Sequence, residues 1–146
     1  MKQQKLKLSD FTIISKNPQT DINDIPVQLY FNNIEGNIHI PKLTDKLKNI
    51  GIDIGMYVSF AINDNGLLFI IPTKKNIKEK DTYKISKTNK NNSRCSIKGN
   101  YILSTIGFKA QPPKKEGNKS SMVHINGKIM TIGGITGLML DVSKYI

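Results

Sequence analysis

Glu35-Gly36-Asn37-Ile38-His39-Ile40-Pro41, continued by Lys42 to Gly51, Met56 to Ile62, Asn63-Asp64-Asn65-Gly66 and Leu67 to Ile71, is the stretch whose reading decides the fold. Ile38 and Ile40 alternate with His39, the period of a half-buried strand, and Pro41 ends that strand because it lacks an N–H. Leu43, Leu47 and Ile50 then fall at i, i+4 and i+7, so the spacing predicts a short helix over 42–51. Lys42, Asp45, Lys46, Lys48 and Asn49 take its wet side, and Gly51 is placed to cap it. Val58, Phe60 and Ile62 alternate with Tyr57, Ser59 and Ala61, which returns the period to two. Asn65-Gly66 is favoured hairpin chemistry because a tight turn needs positive φ.

Outward from this stretch, Met1 to Lys7 reads as a basic lead, Phe11 to Ile14 as a strand, and Lys16 to Pro26 as a loop. Val27 to Phe31 is a strand that turns at Asn32-Asn33 and Gly36 into Ile38–Ile40. After Pro72 the composition shifts. Lys74, Lys75, Lys78, Lys80, Lys84, Lys87, Lys90, Arg94 and Lys98 are opposed only by Glu79 and Asp81. A charge run of this kind is a solvated face or a binding face. Tyr83 to Ser86 reads as a strand within it, and Lys87 to Ser93 as a polar turn.

A faint internal repeat follows. Ser93-Arg94-Cys95-Ser96-Ile97 lies on Gly36-Asn37-Ile38-His39-Ile40, and Tyr101 to Phe108 lies on the helix that ends Ile50-Gly51-Ile52. Met122 to Ile125, Asn126-Gly127 and Lys128 to Ile132 repeat the closing hairpin. Lys98 stands where the first copy has proline, and Gly99 weakens the second helix start. The expected organisation is a lead and loop (1–26), a first β-β-α-β-β unit (27–75), a degenerate second unit (76–132) and a tail packed on the barrel (133–146).

The order of pieces resembles the AbrB/SpoVT-like swapped-hairpin family through Gly36-Asn37-Ile38-His39-Ile40-Pro41, Ile50-Gly51-Ile52 and the hairpin at Asn65-Gly66. The likeness covers about a quarter of the chain closely. It implies a β-rich α+β chain, mostly strand with short helices. Two copies of the unit would interleave into a small closed barrel within one molecule. It also implies DNA recognition of the kind used by transcription regulators and antitoxins. Asn37 stands where the family carries arginine in the first copy, and Arg94 falls at that position in the second. Lys42, Lys46 and Lys48 lie on or near the first helix, while Lys87, Lys90, Asn91 and Asn92 fall in the second leading turn, with Lys98 just beyond. These nine are the candidate nucleic-acid contacts.

Charge agrees with a polyanionic partner: 22 basic residues against 11 acidic ones leave +11 over 146 residues. Arg94 is the sole arginine. Lysines neutralise phosphates but lack the planar fork that reads guanine edges, so limited base readout is expected. An AT-rich coding sequence also enriches Lys, Asn and Ile, although it leaves the scarcity of acids unexplained.

No catalytic constellation, metal set or cofactor motif emerges, and the chain reads as a non-enzyme. His39 and His124 read as outward strand residues, and Cys95, without a Cys-x-x-Cys partner, as a small buried hydrophobe. Gly133-Gly134 with Gly137 lacks the lysine and setting of a phosphate loop. The lone cysteine, the polar N-terminus and the absence of an apolar run near ~18 residues predict a cytoplasmic protein with no membrane partner. A homodimer is compatible with this reading. The alternative is an inhibitor encoded by a mobile element such as a phage, whose basic surface meets a nucleoprotein or the acidic surface of a host or defence nucleic-acid-handling protein.

Overall fold

The computed structural model describes residues 24–32, 35–73, 80–88, 91–109 and 122–146, with backbone alone for 91 and 92. In chain order these form β1 (Asp24–Phe31), β2 (Gly36–Ile40), α1 (Asp45–Asn49), β3 (Tyr57–Ile62), β4 (Leu67–Pro72), β5 (Tyr83–Lys84), β6 (Ser86–Thr88), β7 (Asn91–Lys98), α2 (Asn100–Thr105), β8 (Val123–Ile132) and β9 (Ile135–Asp141). A 3-10 turn, Ser143–Tyr145, ends the chain. The molecule is mostly strand with short helices, as expected.

All nine strands join one antiparallel sheet in the order β5-β3-β4-β9-β8-β1-β2-β7-β6. Its two edges belong to one extended segment, interrupted only at Ile85. The Ile85 N–H donates to the Met56 carbonyl at 2.8 Å and its own carbonyl accepts from Gly55 N–H at 2.8 Å, which nearly closes the sheet into a barrel. A barrel removes the exposed edges that an open sheet of hairpins would leave.

β1-β2-α1-β3-β4 and β5/β6-β7-α2-β8-β9 are the two β-β-α-β-β units, and they interleave. The β1–β2 hairpin lies between β8 and β7, and the β3–β4 hairpin lies between β9 and β5. Each hairpin is therefore flanked on both sides by the other unit. Like meets like at two seams, β2 against β7 and β4 against β9. Exchanging the units leaves the strand order unchanged.

Because β2 and β7 are antiparallel and a helix follows each, α1 and α2 plug opposite ends of the barrel. Leu47 and Leu103 point inward and are fully buried. Both helices end in one hydrogen-bonded cap. Ile52 N–H donates to the Leu47 carbonyl and Phe108 N–H to that of Leu103, each at 2.9 Å. Gly51 bonds back to Lys48, and Gly107 to Ser104, each at 3.1 Å. This is a Schellman cap in both copies, and it requires the positive φ of Gly51 (97°) and Gly107 (75°). The expected superposition of Ile50-Gly51-Ile52 on Ile106-Gly107-Phe108 therefore holds in three dimensions.

Alternation fills the barrel with Leu29, Ile38, Ile40, Ile97, Leu68, Ile70, Leu138 and Leu140, all buried. Each such side chain contributes roughly 1.5–3 kcal/mol relative to exposure. Cys95, also fully buried, packs among them as expected. Burial of the thiol pushes its pKa up to about 11, with the Asp53 carboxylate adding to the rise.

Several expectations are corrected. The first helix begins at Asp45 rather than Lys42, because Thr44 takes the N-cap position and its hydroxyl accepts from Leu47 N–H. The loop over 16–26 gives way to strand from Asp24. Pro26 is tolerated there because its register is with β8 alone, beyond the residues where β1 meets β2. Asn126-Gly127 is not a turn; it lies inside β8, with Gly127 registered against Ile25. The second closing hairpin turns instead at Gly133-Gly134, both at positive φ and flanked by the Ile132–Ile135 pair. Residues 135–141 are thus a stave of the barrel, not a tail packed on it. Lys87, Asn91 and Asn92 belong to strands β6 and β7 rather than to a turn. The strand expected at 11–14 and the candidate contact Lys90 lie outside the described residues.

Candidate nucleic-acid interface

Strand period two sends Gln28 and Tyr30 of β1, Asn37 and His39 of β2, and Arg94, Ser96 and Lys98 of β7 to the outside of the barrel, since their neighbours face the core. The registers align them across the strands. Lys98, Asn37 and Tyr30 form one row; Ser86, Ser96, His39, Gln28 and His124 form the next. Neither row contains a carboxylate.

The two histidines share that row with Gln28 between them, so they are outward but not adjacent. Partial burial lowers the His39 pKa, which keeps its imidazole neutral near pH 7. Among the described residues there is no group of three or more His, Cys, Asp or Glu side chains able to hold a metal ion.

The expected basic contacts divide between the two ends of this face. Arg94 lies where β7 meets the exit of β2: the Leu43 N–H donates to the Ser93 carbonyl at 2.7 Å, bringing exposed Lys42 alongside. Lys46 and Lys48 are exposed on α1, which follows at once, while exposed Lys87 registers with inward Cys95 and so alternates to the other side of the sheet from Ser86 and Arg94. Lys98 stands at the opposite end, registered with Asn37 at the start of β2. The structure thus brings Lys42 near Arg94, sets Lys87 on the other side of the sheet and separates all three from Lys98. The side chains of Asn91 and Asn92 lie outside what is described.

At the Lys98 end a cleft of about 280 Å³ opens between the β1–β2 turn and α2, lined by Glu35, Gly36, Asn37, Lys98 and Asn100. Its walls are held close. The Gly99 N–H donates to the Gly36 carbonyl at 2.8 Å, and a Cβ on Gly36 would come within 2.9 Å of the Asn100 Cα. The Asn32 carboxamide oxygen accepts from Glu35 N–H at 2.7 Å, while the Asn32 N–H donates to the Glu35 carbonyl at 3.0 Å. The Asn32 side-chain amide also donates to the Tyr30 hydroxyl at 3.1 Å. Sequence reasoning missed Glu35, Asn100 and Tyr101 as surface groups. The last was hidden in the apolar run Tyr101-Ile102-Leu103, although helical spacing puts it opposite the buried Leu103.

The outside of the closing hairpins has a different character. Met130, Ile132 and Ile135 are exposed on the outer face of β8 and β9, beside partly covered Met139 and buried Phe69. Among the described residues no helix is long and apolar enough to cross a membrane. Comparison of the chain with protein-family models, with characterised proteins and with solved structures returns no match.

Proposed function

We propose that the chain is a DNA-binding, regulator-like protein of the AbrB/SpoVT-like swapped-hairpin kind, a binding protein rather than an enzyme. The observation that carries this reading is the pair of carboxylate-free polar rows on the leading hairpins, ended on one side by Arg94 and Lys42 and on the other by Lys98. The interleaved barrel with a helix after each leading hairpin supports it. Lysines supply phosphate neutralisation and counterion release, and one arginine with a few amides supplies limited base readout, so binding is largely guided by backbone and shape.

Gel shift with random duplex over a salt series tests the reading. Log affinity falls linearly with log salt, and removing a phosphate contact with Arg94→Ala or Lys42→Ala lessens the slope by about 0.9 each. No shift at low salt refutes it.

The exposed Met130, Ile132 and Ile135 favour a second reading, an inhibitor from a mobile element that docks on a host or defence nucleic-acid-handling protein. Recovery of one stoichiometric protein from the native host, lost on Ile132→Lys, supports that alternative.

A further inference from the structure

We propose that the cleft between the β1–β2 turn and α2 takes one unstacked guanine of a single-stranded nucleic acid. The inference rests on the reading of the leading-hairpin face as a nucleic-acid surface and adds a specific subsite to it. At about 280 Å³ the cleft is just under the roughly 300–1,000 Å³ of sites that enclose whole small-molecule ligands, which suits a single nucleotide unit.

Its lining divides by chemistry. Lys98 offers an ammonium to a phosphate. Asn37 and Asn100 each bring an amide that both donates and accepts, suited to base edges. Glu35 is the informative member, because a carboxylate accepts only and opposes phosphate, so its place in a cationic region calls for a donor-rich partner. Guanine presents two neighbouring donors, N1–H and the 2-amino group, matched to the two oxygens of one carboxylate. Those donors are occupied in a duplex, so the edge is read only when the base is splayed out. Tyr101, the residue after Asn100 on α2, is 67% exposed and offers an aromatic face one helical step from the lining. The hydrogen bonds of Asn32 to Glu35 and of Gly99 to Gly36 hold the walls before any ligand arrives.

Fluorescence anisotropy at fixed low salt with labelled single-stranded nonamers tests this, using all-thymine DNA, the same strand with one central guanine, and that strand with hypoxanthine, which lacks the 2-amino group. The guanine strand binds about tenfold more tightly than the thymine strand, and hypoxanthine loses most of the gain. Glu35→Gln erases the guanine preference, and because it removes a charge that opposes phosphate, thymine-strand affinity rises rather than falls. Tyr101→Ala weakens the guanine strand at least about fivefold. Both side chains are exposed, and circular dichroism verifies that each variant is folded. Equal affinity for guanine and thymine strands overturns the proposal, as does a guanine preference that survives Glu35→Gln. A chain that shifts duplex without any guanine preference refutes the subsite alone, whereas a chain that binds no nucleic acid at low salt removes both the subsite and the function it rests on.

Discussion

Gly127→Ala probes the placement on which the second unit depends. Asn126-Gly127 has the composition of a hairpin turn, yet Gly127 is an inward position of β8 and its φ lies outside the left-handed region. A Cβ there would sit 2.8 Å from Leu140 Cδ2 and 2.9 Å from Leu138 Cδ1. Both atoms are tips of flexible side chains, so they can yield by several tenths of an ångström. Overpacking of this kind costs about 1–3 kcal/mol, offset by roughly 0.4–1 kcal/mol from the reduced entropy of the unfolded chain. The net loss is about 1.5 kcal/mol, or roughly 5 °C in Tm for a chain of this size. A glycine held at positive φ in a turn would lose a similar amount, about 1–2 kcal/mol, on gaining a Cβ. The single variant therefore does not separate the two placements, but a double-mutant cycle does. Leu140→Val removes the nearer tip at a cost of about 1 kcal/mol, and in the double variant the new methyl occupies the vacated space. Urea unfolding followed by far-UV circular dichroism then gives a double-variant loss smaller than the sum of the singles by at least about 0.5 kcal/mol. Additivity within that margin, or a Gly127→Ala protein as stable as the parent, refutes the inward placement of Gly127.

Two further outcomes follow from titrating groups. Cys95, buried with its pKa pushed up to about 11, resists iodoacetamide at pH 8 in the native protein and reacts in denaturing urea; rapid native labelling contradicts the packed barrel. His39 is held below its ordinary value of 6.5 by burial, so just below that pH the unfolded chain binds more protons than the native one. Stability is intact above about pH 6.5 and falls as the pH drops through it, until the native imidazole also protonates. Urea midpoints at pH 7.5 and pH 5 show a fall that His39→Gln lessens, and a His39 contribution of opposite sign contradicts the burial.

Signals carried by a few neighbouring residues were legible without coordinates. Gly51 and Gly107 follow an apolar helical stripe and end it, because a left-handed residue there satisfies the last carbonyls wherever the helix sits. The turn ending in Asn65-Gly66 is likewise local, closed by the Asn63 side-chain oxygen accepting from Asn65 and Leu67 N–H, each at 3.0 Å. Alternation marked Ile38, Ile40 and Val58 as core. The same local rules misread Asn126-Gly127 and left Gly133-Gly134 in a tail, because two glycine-containing pairs competed for one turn and only partners distant in sequence decide between them. β1, about a hundred residues earlier, holds Gly127 in an unbroken ladder. Registers of this kind also set Lys98 beside Asn37 and part it from Arg94, and the cleft exists because Gly36 and Asn100, far apart along the chain, come close enough to exclude a Cβ. Sequence alone thus determined the pieces, since caps, turns and alternation draw on neighbours a few residues away. Tertiary structure decided which strands met, and with them the arrangement of the polar face, because long-range pairing energy is shared between distant segments and neither carries it alone.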